Sequence, residues 1–192
     1  GVQVATIDGG GLRNAIPRES FAEVAVASEK EAEFKKFVEE QTAILKNEHS
    51  TTDHNLQVIL ESIDTPAQVA ATEFAGKLVR ALYACPNGIY RMSPDIENLV
   101  QTSNNVARVL VKDGEFKVLC LTRSSVDSEK MDLARAIKSA LELAGADVKL
   151  SGSYPGWMPK PDATIVKLMS DLYRSKFNEE PHVNACHAGL EC

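Results

Sequence analysis

The most constraining stretch of this chain is Lys112-Asp113-Gly114-Glu115. It joins two runs of extended pattern, Leu99 to Val111 and Glu115 to Thr122. Asp-Gly between two such runs satisfies the positive φ angles that a two-residue hairpin turn demands. Consecutive strands joined that tightly must pair antiparallel, because a parallel pair needs a long crossover. Any fold for this chain therefore contains an antiparallel ladder.

Around the hairpin, helical and extended patterns alternate. An opening strand, in which Val2, Val4 and Thr6 alternate against Gln3, Ala5 and Ile7, leads through the glycine-rich DGGGLRNAIPRES into a second short run, Phe21 to Ala27. Ser28 with Glu31 forms a capping box, and Phe34, Phe37, Val38, Ile44 and Leu45 recur at helical spacing towards Asn47. The polar stretch Asn47 to Asn55 reads as a loop, and NLQVILESI has the length of a strand. Thr65-Pro66 then offers a cap and a first helical residue for a helix carrying Val69, Phe74, Leu78 and Leu82 up to CPNG.

Ser128 caps a third predicted helix, with Met131, Ala134, Ile137, Leu141 and Ala144 on its apolar face and Gly145 as its stop. DVKLS reads as a strand, YPGWMPKP as a rigid connection, and Asp162 as the cap of a fourth helix through Ile165, Leu168, Met169, Leu172 and Tyr173. HVNAC closes as one more short strand. The expected fold is α+β, a two-layer sandwich of a mixed, largely antiparallel sheet with helices on one face.

Charge and composition narrow the function classes. With 27 acidic residues against 21 basic ones the net charge is −6, which provides no electrostatic footprint for nucleic acid or an anionic membrane. No apolar run reaches the roughly 18 to 20 residues of a membrane span. The four cysteines lack framework spacing, as in a reducing cytoplasm. Both ends read as cut from something larger, since the chain enters a strand at its second residue and stops on HAGLEC.

Candidate sites each carry a plain structural reading. The three glycines lack the lysine and serine or threonine of a phosphate-binding loop, so close approach of backbone to backbone explains them. That reading leaves Arg13-Asn14 and Pro17-Arg18 unexplained. Arg123 stands at a strand end, either as a solvated edge residue or as a fork for a carboxylate. His182, Cys186, His187 and Cys192 are metal-ligand types, but no C-x2-C knuckle is present and strand alternation separates His187 from the pair before it. His187 and Glu191, four apart, read plainly as a helical side-chain pair.

Taken together, GGGLRNAIPRE, CPNGIYRMSPDI, LTRSSVDS, SYPGWMPKPD and HAGLEC resemble the aminoacyl-histidine dipeptidases (Xaa-His dipeptidases, peptidase D), a branch of the M20 metallopeptidases. The resemblance runs along the whole chain. It implies a two-domain enzyme with two zinc ions in a catalytic domain, into which a lid for substrate capping and dimerisation is inserted. Residues 1–186 resemble that lid without its first segment, and 187–192 the start of the returning catalytic domain.

By the same resemblance Asn14 matches an asparagine near the scissile carbonyl, and Arg123 the arginine that binds the substrate's terminal carboxylate. His187, Gly189 and Glu191 match a loop lining the pocket. The family's metal ligands have no counterparts: none of the four histidines begins an H-x-D motif, and neither Glu39-Glu40 nor Glu179-Glu180 has the family's context. The implied protein is a cytoplasmic zinc dipeptidase cleaving dipeptides with C-terminal histidine, with its zinc outside this chain. The partners implied are a dipeptide, the chain's own catalytic domain and a second copy. The alternative is a non-catalytic binding or dimerisation module on the same fold. A reading frame continuing past Cys192 is expected under the first, and a stop there under the second.

Overall fold

A computed structural model of the chain describes residues 1–186. Five strands, β1 (Gln3–Gly10), β2 (Ser20–Ala25), β3 (Gly88–Met92), β4 (Val100–Lys112) and β5 (Glu115–Ser124), form one sheet in which every pairing is antiparallel. Four helices accompany them: α1 (Glu31–Glu48), α2 (Thr72–Ala84), α3 (Asp127–Leu143) and α4 (Thr164–Phe177). The expected α+β class and the hairpin are both present. Lys112 pairs with Glu115, and Asp113 and Gly114 take φ of 54° and 78° at the turn.

The long strand β4 organises the sheet. β5 runs along one of its edges, while β1 and β3 share the other, β1 opposite Arg108 to Val111 and β3 opposite Val100 to Asn104. Between them β4 is left without a partner strand for a few residues, and its register to β5 shifts there, between Val106 and Arg108. The glycine-rich loop leaves β1 at this gap.

The core lies on one face. Leu133, Ile137 and Leu141 of α3 and Ala81 of α2 pack with Cys85 and Ala144, against Val106, Val118 and Cys120 of the sheet. α3 stops where expected: Gly145, at φ 91°, donates to Glu142 O and Ala146 donates to Leu141 O.

Several expectations fail, each for a local reason. Ser28 and Glu31 form no capping box: residues 28–30 make a 3-10 turn, and α1 begins at Glu31 without a side-chain cap. The helix expected from Thr65-Pro66 starts at Thr72, because the Ala70 N–H bonds Val4 O of β1 at 2.7 Å and holds the preceding backbone extended. Ser128 does not cap α3, whose first turn begins at Asp127 behind a Val126 N–H bonded to Ser124 Oγ. Asp162 does not cap α4, which opens after Ala163.

NLQVILESI, DVKLS and HVNAC join no ladder among the described residues, so their strand patterns lack the partner edge that makes a strand. The short, bulged β3 was not among the expected strands. Among the described residues, α2 and α3 alone cover the sheet, and α1 and α4 bury no residue.

Candidate functional site

Strand alternation separates two chemistries on β4 and β5. Val106, Val118 and Cys120 face the helices. Ser103, Asn105, Leu121 and Arg123 face the other way, with Ser103 paired to Arg123 and Asn105 to Leu121. On that open face lies a cleft of about 490 Å³, lined by Arg13, Asn14 and Ile16 from the glycine-rich loop, Asn87 to Ile89 at the start of β3, and Ser103, Asn105, Leu121 and Arg123. Asn14 and Arg123 thus meet in one concavity although they are far apart in sequence.

The glycine-rich loop reaches this position because its backbone lies against β4. The Gly11 N–H donates to Ala107 O at 3.0 Å, and Gly10 donates to Glu19 O at 3.1 Å. Gly10 sits at φ 75°, and a Cβ there would lie 2.0 Å from Ala107 O, so only glycine fits. Close approach of backbone to backbone is therefore the correct reading of Gly10, whereas a Cβ at Gly9 would meet the Ser20 side chain and one at Gly11 nothing within 4 Å. Arg108 holds the departing strand by donating from Nη2 to Asp8 Oδ1 at 3.0 Å.

At the other end of β5 the strand is pinned by a polar cluster. Glu129, in the first turn of α3, accepts from Gln101 Nε2 at 2.8 Å and from Thr102 Oγ1, and it pairs with Arg91 of β3. Thr102 and Ser124 hydroxyls are 2.8 Å apart. The Thr102 and Gln101 hydrogen bonds, with Arg91 beside them, hold the Glu129 carboxyl below its ordinary value. Arg123 is anchored between these contacts, one residue before Ser124.

A second concavity lies between β5, α3 and the segment 148–157, which was expected as a strand and a rigid connection. Gly156 is pressed against this end of β5: a Cβ there would lie 2.6 Å from Ser124 O, and its N–H donates to Asp127 Oδ1 at 2.9 Å. Lys130 Nζ reaches both Asp127 and Tyr154 O. Arg13 and Arg123 border both concavities. Among the described residues, neither guanidinium forms an ion pair with a carboxylate.

Two of the thiols, Cys85 and Cys120, carry no reactive signature. Cys85 and Cys120 sit in the core, burial raises both, and Cys120 is pushed up to about 11. Among the described residues no group of three histidine, cysteine, aspartate or glutamate side chains comes together as a metal site. The H-x3-C-H-x4-C candidate lies partly, and His187, Gly189 and Glu191 wholly, outside the described residues. Among the described residues no helix is long and apolar enough to cross a membrane.

The chain is similar to known proteins in both sequence and fold. Residues 1–53 match the family described as a peptidase dimerisation domain. Over 191 residues the chain is 37% identical to the cytosol non-specific dipeptidase of Escherichia coli (strain K12), covering all of this chain and 39% of that protein. The crystal structure of aminoacylhistidine dipeptidase from Vibrio alginolyticus superposes with a TM-score of 0.93 at 37% identity, over 98% of this chain and 39% of that one. Along its length the chain is similar to the dimerisation, or lid, part of M20 dipeptidases. It spans about two fifths of the length of the relatives it matches. One cleft residue, Asn105, was missed in the sequence. It lies mid-strand, and only its hydrogen bonds across the gap in the sheet distinguish it.

Proposed function

We propose that this lid caps the active site of a cytoplasmic zinc dipeptidase that hydrolyses dipeptides with C-terminal histidine. Residues 1–186 form the lid proper, and 187–192 begin the returning catalytic domain. The observation that carries the reading is the meeting of Asn14 and Arg123 in one cleft of the open sheet face. A forked guanidinium that pairs with no carboxylate among the described residues suits the free carboxylate of a peptide. A neutral amide such as that of Asn14 suits an oxygen on which charge develops during the reaction, because its hydrogen bond strengthens as the charge appears. His187, Gly189 and Glu191 belong to the same pocket wall under this reading. The two zinc ions would be held outside this chain, and hydrolysis takes place there. The description of the family that residues 1–53 match, a peptidase dimerisation domain, supports assembly with a second copy through this lid.

The test uses the full-length protein that carries this chain. Arg123→Ala is expected to lower kcat/KM on a Xaa-His dipeptide roughly tenfold to a hundredfold, the cost of a lost charged hydrogen-bond partner. A C-terminally amidated dipeptide should be a poor substrate of the parent, and Arg123→Ala should leave its turnover unaffected. Unchanged kcat/KM on the free-acid dipeptide sinks the assignment. Asn14→Ala should lower kcat with little change in KM, and a change in KM alone would make Asn14 an ordinary binding group.

A further inference from the structure

Asn105 stands on β4 at the gap between β1 and β3, half-buried, with its side chain on the cleft face. Its Nδ2 donates to Arg13 O at 3.1 Å and to Ala15 O at 2.8 Å. These are the carbonyls on either side of Asn14. Both partners are acceptors only, so the amide group must turn its two N–H bonds towards them, and its orientation is fixed by the contacts themselves. The loop has few other ties in this stretch: the Ala15 N–H bonds Leu12 O within the loop, and the next backbone bond to β4 is that of Gly11. One side chain therefore spans the residue that the proposed function places at the scissile carbonyl.

We infer that Asn105 is a positioning residue for Asn14, clamping the peptide units before and after it so that the Asn14 amide is held at one place on the sheet. The inference rests on the role proposed for Asn14. A carbonyl contact gains from a fixed donor because no reorganisation is then needed as charge develops. Displacement of about 1 Å is enough to cost on the order of a hundredfold in favourable cases. Alanine at 105 frees the loop. Aspartate keeps the shape of asparagine but turns a carboxylate oxygen towards two carbonyl oxygens and repels them.

The experiment measures kcat and KM on a Xaa-His dipeptide for the full-length protein with Asn105→Ala and Asn105→Asp, each alone and combined with Asn14→Ala, with rates normalised to folded protein by circular dichroism. Each single substitution at 105 should lower kcat roughly tenfold, aspartate more than alanine, with KM within about twofold. In the Asn14→Ala background the same substitutions should change kcat by less than about twofold, since residues acting as a unit are not additive. Amide hydrogen exchange of residues 12–16 should quicken in both backgrounds. Full additivity with Asn14→Ala, unchanged kcat, or unchanged exchange overturns the inference. If Asn14→Ala itself leaves kcat intact, the role of Asn14 fails, and that of Asn105 with it. If Asn14→Ala lowers kcat and the Asn105 variants do not, only the clamp fails.

Discussion

Helices α3 and α4 have comparable amphipathic patterns and opposite fates. α3 buries Leu133, Ile137 and Leu141 completely or almost so, against α2 and β5. α4 repeats Ile165, Leu168, Met169, Leu172 and Tyr173 at the same spacing, yet each of these stays well exposed, Leu168 at 53%. α1 behaves like α4, with Phe37 and Ile44 both 56% exposed. An apolar stripe states that a helix needs a partner surface, and it does not say where that surface is. In α3 the surface is the inner face of the hairpin. For α1, α4 and the apolar run around Ile59, none of the described residues supplies one.

The contrast breaks most decisively in the core. Leu133 has no exposed surface, so Leu133→Ala should cost about 2–5 kcal/mol in denaturant unfolding, the range for a buried leucine that leaves a cavity. A loss below 1 kcal/mol would mean that α3 is no better packed than α4.

Next in size is the polar pin beneath it. Glu129→Ala removes the carboxylate acceptor of the fully buried Thr102, leaving it only Ser124, and that of Gln101, and is expected to destabilise by about 2 kcal/mol. The pH dependence has a defined sign. Hydrogen bonds from Thr102 and Gln101 hold the folded carboxyl below its ordinary 4.5. The unfolded chain therefore takes up the proton first as pH falls. The contribution is complete above about pH 4.5 and is lost as pH drops through the depressed value. Thermal unfolding followed from pH 7 down to about pH 3 should show a smaller acid loss in Glu129→Gln than in the parent, and parallel curves would refute the coupling.

Gly10→Ala tests the glycine-rich loop rather than the core. A left-handed backbone and a Cβ 2.0 Å from Ala107 O together predict a loss of about 1–2 kcal/mol and a displaced loop, visible as amide shifts at residues 11–16. Gly11→Ala, where a Cβ would meet nothing within 4 Å, is the matched control and should be milder. Smallest of all is Leu168→Ala on α4, expected within about 0.5 kcal/mol for this chain. A loss comparable to that of Leu133→Ala would show that α4 finds a partner after all.

Legibility followed the range of the interactions. Local chemistry read correctly: Asp113-Gly114 for the turn, Gly145 for the end of α3, and the periodicity of all four helices. Helix starts read poorly, since Ser28, Thr65, Ser128 and Asp162 are good caps in isolation and none of them caps. At α2 a backbone bond from Ala70 to β1 overrides the local signal. Strand patterns misled where no partner edge exists, as in DVKLS, whose Val148 instead packs on the core. In the candidate site, Asn14 and Arg123 were singled out by the resemblance of their motifs, while Asn105 sits in an ordinary-looking strand.

The sequence by itself determined the antiparallel hairpin, the four helices among the described residues, the residues that would be buried if a surface were offered, and a similarity to the lids of dipeptidases. Those follow from backbone dihedrals, periodicity and motif order, all of which are local. Only the tertiary structure decided that β1 and β3 share one edge of β4, that the glycine-rich loop enters the gap between them, and that Asn14, Asn105 and Arg123 consequently meet on one face. That outcome depends on which edges and faces remain free once β4 and β5 have paired, and pairing between distant segments is a property of the whole chain that no short stretch encodes.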